Sequence, residues 1–205
     1  MKQLIYIFTI ISLFACKKET SQNHSIKLKD QNLELLVYLP RNFDTTFTYT
    51  KSSDDGCDVN VTRIANKKYN PVPDSTYLKV KFPDSTFQLT ITYLDTGKFN
   101  QCSSDHSTLP QIIESIIDKE KAFVKGPINK VELKSQNKNI QKLQTYSFIR
   151  QKDNLKDHNS FYVFNLPKSR CYLKFNHHGT QTKQFIEYSN KILESLELKQ
   201  LVTHR

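Results

Sequence analysis

Residues 161–198, FYVFNLPKSRCYLKFNHHGTQTKQFIEYSNKILESLEL, decide the fold of this chain. The segments 161–166 and 170–175 are typical of strands, because they are rich in aromatic residues and the second alternates between polar and apolar residues. After them, Phe185, Ile186 and Ile192 follow helical spacing and predict an amphipathic helix over residues 182–196. Residues 197–202 are expected to add an edge strand.

Most of the chain before this stretch has strand character. Alternation predicts a hairpin of residues 25–28 and 33–39, and a second hairpin of residues 77–82 and 87–93 around the turn Pro83-Asp84-Ser85. In residues 57–62 the apolar positions are odd and the polar positions even, which predicts one apolar and one polar face. A first helix is expected over residues 107–126, since Pro110 suits a first helical turn and Gly126-Pro127 stops a helix. Further strands are expected at residues 47–50, 128–135 and 143–150.

This order of elements predicts an α+β fold, with a central antiparallel sheet flanked by helices, in a single domain over residues 25–202. The ending from Phe185 to Leu198 and the step Leu39-Pro40-x-x-Phe43 resemble PsbP-like domains. The resemblance implies an antiparallel sheet packed between helices. It also implies a class of binding, assembly and accessory proteins, and it identifies no functional residue.

The first sixteen residues, MKQLIYIFTIISLFAC, combine Lys2, an apolar run over residues 4–14, and Ala15 directly before Cys16. They resemble a bacterial lipoprotein signal peptide with its lipobox. The resemblance implies that residues 1–15 are removed and that Cys16 is lipidated with acyl chains such as palmitate. Residues 16–24 then form the lipidated cysteine and a polar tether. A simple secretory signal cut after Ala15 stays open as an alternative.

The predicted address is the cell envelope, with the chain bound to the membrane through its lipid anchor. Lys17 stands where an aspartate would favour retention at the inner membrane, so the outer membrane is favoured, on its periplasmic or surface face. The apolar run is too short to span a bilayer as a helix, which needs about 20 residues. Nucleic acid is not expected as a partner despite the formal charge of +10, because the basic residues are scattered.

Three cysteines remain after Cys16. Cys57 and Cys102 lie near predicted loops and are the favoured disulfide pair, in a compartment that permits such bonds. Cys171 alternates with Leu173 and Phe175 and is expected to be a buried small apolar residue.

The remaining motifs predict neither catalytic residues nor a metal or cofactor. His177 and His178 are expected in a loop before the last helix, and adjacent residues of a strand point to opposite faces. Cys102 and His106 form a weak thiolate–imidazole pattern, and residues 54–58 resemble only part of a calcium loop.

The leading hypothesis is therefore a non-enzymatic accessory or binding lipoprotein that takes a partner protein or a small ligand. One alternative is an immunity or inhibitor lipoprotein that protects against a toxin acting in the periplasm. Another is an enzyme of unrecognised type, for which His106, His177 and His178 would have to converge in one pocket.

Overall fold

The computed structural model describes residues 21–28, 31–52, 58–66, 71–73, 78–80, 86–94, 110–111, 114–115, 117–118, 127–152, 155–167 and 169–201. These residues include twelve strands and one complete helix, and the described positions between 110 and 118 are also helical. The strands are β1 (Ser21–Leu28), β2 (Leu33–Pro40), β3 (Thr45–Ser52), β4 (Asp58–Ala65), β5 (Pro71–Pro73), β6 (Leu78–Val80), β7 (Phe87–Leu94), β8 (Ile128–Lys130), β9 (Gln144–Lys152), β10 (Leu155–Asn165), β11 (Arg170–His178) and β12 (Glu197–Gln200). The helix is α1 (Thr182–Ser195).

The chain is mostly β, so the predicted α+β fold, with helices flanking a central sheet, is wrong. A further difference lies at residues 153–159, whose polar character predicts a loop. Instead, β10 begins at Leu155 and pairs with β9 and β11. Asn159 and Ser160 are only 1% and 0% exposed there. Burial within a sheet thus overrides the local preference of these residues for turns.

The larger sheet is antiparallel and has the strand order β3-β4-β7-β11-β10-β9-β8. The predicted hairpin of residues 77–82 and 87–93 is wrong, because β6 pairs with β5 in a separate two-stranded ribbon. β7 instead lies between β4 and β11. Its alternating residues are buried against the core, as Leu89 and Ile91 are fully buried, so β7 takes a central position with partners on both sides.

The smaller sheet has the order β1-β2-β12 and contains the predicted first hairpin. Asn32 adopts φ 52° in its turn, a left-handed conformation that asparagine tolerates well. The Gln31 amide donates to the Leu28 carbonyl and closes the turn. The predicted edge strand after the last helix is confirmed as β12, which pairs with β2.

The core lies between the two sheets and α1. Within β2, Leu35, Val37 and Leu39 are fully buried, as alternation along a strand dictates. The predicted last helix is confirmed as α1, which buries Phe185 and stacks its ring on Phe175 of β11 at 5.4 Å. Each such buried apolar side chain contributes about 1.5–3 kcal/mol to folding.

Two asparagines fasten residues 131–143 to α1. The side-chain nitrogen Nδ2 of Asn137 donates to the backbone carbonyls of Leu193 and Leu196, both at 2.8 Å. These carbonyls lie at the end of the helix and have no partner further along it. The Asn190 carbonyl oxygen accepts from the amides of Lys134 and Ser135. The sequence predicts a strand over residues 128–135, but β8 ends at Lys130. Beyond it, the side chains of Asn137 and Asn190 supply hydrogen bonds in place of those that a neighbouring strand would give.

Candidate ligand-binding groove

The cysteines with predicted chemistry are outside the described residues. Cys16, Cys57 and Cys102 all fall there, so the lipidation and the disulfide stay predictions. Cys171 is free and 0% exposed, which confirms its prediction as a buried small residue. Burial raises the pKa of its thiol, so Cys171 is protonated at neutral pH and is a packing residue.

The adjacent histidines end β11 and are not in a loop, so their predicted location is wrong, but they do face opposite ways. His177 is fully buried, whereas His178 is exposed and places its Nδ1 3.0 Å from the Asp157 carboxylate. His106 lies outside the described residues. His177 and His178 therefore share no pocket, and no group of three or more metal-ligating side chains occurs among the described residues.

His177 belongs to a buried aromatic stack. Its ring lies on Phe87 at a centroid distance of 4.0 Å and is 5.4 Å from the ring of His158. His158 donates from Nδ1 to the His177 carbonyl and accepts from the Thr182 hydroxyl at Nε2. Burial, reinforced by the neighbouring His158, lowers the pKa of His177 to about 4. Both imidazoles are thus neutral at pH 7 and act in packing.

A groove in the described part of the chain has a volume of about 790 Å³, within the range of small-molecule sites. It lies between the smaller sheet and the β3–β4 end of the larger sheet. The described lining residues are Ser25, Ile26, Lys27, Leu28, Asn32, Thr46, Thr48, Asn60, Thr62, Tyr93 and Leu201.

The floor of the groove is built by rungs of side chains across three strands. Thr50, Asn60 and Tyr93 face one another across β3, β4 and β7. One rung further on, Thr48 pairs with Thr62, and their hydroxyls are 3.2 Å apart. On the same face of β4, Ile64 is packed in the core, so this face changes from apolar to polar where the groove begins.

Asn60 presents an unused hydrogen-bond donor at this floor. The side chain is only 5% exposed, and its carbonyl oxygen accepts from the Thr50 hydroxyl at 3.3 Å. Its amide nitrogen Nδ2 has no partner. Because a buried polar group without a hydrogen bond costs about 1–3 kcal/mol, a bound acceptor at this place would remove a penalty.

The opposite wall is apolar. Ile26 and Leu28 extend from β1, and Leu201 is held beside them by a hydrogen bond from its amide to the Asn32 carbonyl. Lys27 supplies the single charge among the described lining residues, and no carboxylate lines the groove there. The groove therefore combines an apolar wall, a hydroxyl and amide floor, and a positive side chain.

None of these groove residues was predicted as a site. The described part of residues 57–62 has the predicted polar face with Asn60 and Thr62, but this face is covered, because each of the two residues is only 5% exposed. The available signal was the matching alternation of two strands, with Thr46, Thr48 and Thr50 in one and Asn60 and Thr62 in the other. Only their pairing register shows that these residues form one surface.

No helix in the described residues is both long and apolar enough to span a membrane. A comparison of the chain with protein-family models and with curated proteins finds no match.

Proposed function

We propose that this protein is a non-enzymatic binding protein of the cell envelope, whose groove holds a small amphiphilic molecule. The unpartnered Asn60 amide in the groove floor is the observation that carries the proposal. Asn60 is the groove-lining residue whose buried side-chain donor has no partner, and a ligand that brings an acceptor would satisfy it. The apolar wall opposite is suited to a hydrocarbon portion of the same ligand.

The groove chemistry favours binding over catalysis. Threonine hydroxyls and a side-chain amide form hydrogen bonds but do not titrate near neutral pH, so they cannot act as general acids or bases there. The two most buried histidines of the described residues lie under α1, in the aromatic stack with Phe87, rather than along the groove. The proposal therefore assigns the groove recognition of a ligand rather than its conversion.

The proposed anchor is a lipidated Cys16, with residues 17–20 leading into β1. Since β1 supplies Ile26 and Leu28 to the groove wall, such an anchor would hold the groove close to a membrane, where amphiphiles are concentrated. Mass spectrometry of the N-terminal peptide tests this part. A diacylglyceryl group on Cys16 is expected, and an unmodified Cys16 would refute the anchor.

Photo-crosslinking tests the groove in the full chain within phosphatidylcholine nanodiscs. The probe is dodecanol carrying a diazirine, and the crosslinked peptides are identified by mass spectrometry. Saturable crosslinks on residues 25–28, 46–48 and 60–62 are expected, competed by unlabelled dodecanol. Crosslinks spread evenly over the surface, without saturation, would refute a binding groove.

A further inference from the structure

We infer that the groove selects an amphiphile with a negatively charged oxygen head, of which a long-chain carboxylate is the simplest example. This inference rests on the proposed function and deepens it by naming the class of ligand. It follows from the orientation of Asn60, the charges of the lining and the apolar wall.

The orientation of Asn60 decides between a donor and an acceptor on the ligand. The Thr50 hydroxyl donates to the side-chain oxygen Oδ1 of Asn60. The atom left without a partner is therefore the side-chain nitrogen Nδ2, which can only donate. The ligand must therefore offer an acceptor. An oxygen of a carboxylate or phosphate is a stronger acceptor than an alcohol, because charge-assisted hydrogen bonds are about twice as strong as neutral ones.

The charges of the lining act in the same direction. Lys27 is the one charged residue among the described lining residues, and those residues include no carboxylate to repel an anion. The chain as a whole carries a formal charge of +10, which raises the local concentration of anions around it. Glu34 stands opposite Lys27 in the β1–β2 register and accepts from the Ser25 hydroxyl, but it is not itself one of the lining residues.

The apolar wall sets the form of the remainder of the ligand. Ile26 and Leu28 of the wall and Tyr93 of the floor line the groove, and each is less than 10% exposed. This surface suits a flexible alkyl chain, whose methylene groups each gain from removal from water. Lengthening the chain by two methylenes should strengthen binding by about tenfold until the groove is filled.

The experiment uses the full chain in phosphatidylcholine nanodiscs and dodecanoate carrying a diazirine as the probe. Unlabelled dodecanoate, dodecanol and dodecyltrimethylammonium compete for the crosslinks on groove peptides. Dodecanoate is expected to compete about tenfold more strongly than dodecanol, and the cationic amphiphile least. Lys27→Gln should reduce the preference for dodecanoate over dodecanol severalfold.

Asn60→Leu removes the donor and should weaken both acceptor-bearing competitors about tenfold. Asn129→Leu is the matched control, since Asn129 is an exposed amide on β8 at the far edge of the larger sheet, and it should have no effect. If Asn60→Leu fails to fold, Thr48→Val at an exposed position of the floor provides the second variant, with a severalfold loss expected.

The outcomes separate the two claims. Equal or stronger competition by dodecanol or by the cation overturns the anionic ligand class while the binding groove stands. Saturable crosslinking that is unaffected by Lys27→Gln and by every floor variant also overturns the class. A lack of saturable crosslinking with both probes overturns the proposed function itself.

Discussion

Acid should destabilise the fold through His177. Its ring is fully buried against Phe87, and its pKa is about 4, below its ordinary value of 6.5 because of burial and the adjacent His158. The folded state therefore binds fewer protons than the unfolded state below pH 6.5. The stabilisation is fully present above pH 6.5 and is lost as the pH falls toward 4.

The size of the effect follows from these two pKa values. Between pH 7.5 and pH 4.5, His177 alone should remove about 2.5 kcal/mol from the free energy of unfolding, since one pKa unit corresponds to about 1.4 kcal/mol. The substitution His177→Leu removes the titration at similar volume. Urea unfolding of both proteins, followed by circular dichroism at the two pH values, measures the difference.

The variant is expected to lose about 2.5 kcal/mol less than the wild type over this interval. His178→Leu is a control of opposite sign, because the hydrogen bond to Asp157 raises the pKa of His178, which stabilises the fold at acidic pH. Its loss on acidification should be steeper than that of the wild type. Equal losses for the wild type and His177→Leu would refute the reasoning.

Three other substitutions or reactions test the packing. Asn137→Ala removes two hydrogen bonds donated to carbonyls at the end of α1 and should lower the free energy of unfolding by about 2–3 kcal/mol, as measured by urea unfolding. A decrease of less than about 0.5 kcal/mol would show that Asn137 does not hold this segment to the helix. Phe175→Ala deletes a fully buried ring that stacks on Phe185 and should cost about 3–5 kcal/mol, visible as a lowered melting temperature; an unchanged melting temperature would disprove its place in the core. Cys171 should resist iodoacetamide in the folded chain and react after unfolding in urea, as read by mass spectrometry, and rapid alkylation of the native protein would show that the residue is accessible.

The end of the chain could be predicted because its signals are local. The apolar stripe of α1 has helical spacing, and Phe185 and Ile192 are fully buried as that spacing requires. β12 follows directly, and a strand after a helix needs no distant information to be recognised. The hairpin of β1 and β2 was equally accessible, since its two alternating segments are joined by a short polar turn.

The strand order and the groove depend on contacts between distant residues, and a single sequence does not contain them. β6 and β7 are neighbours in the chain and have matching alternation, yet β7 pairs with β4 and β11. Asn60 and Thr62 have the alternation of a solvated face. They line a groove only because β1, from the other sheet, covers that side. The PsbP-like resemblance and the lipobox stay predictions from sequence.

The smaller sheet joins the beginning of the described chain to its end. β2 is covered by β1 on one side and by β12 on the other, and β12 comes from a much later part of the chain. Until β12 has paired, the β2 edge that it covers is open. An open, leucine-rich strand edge is a template for pairing with other chains until Leu198 reaches Leu35.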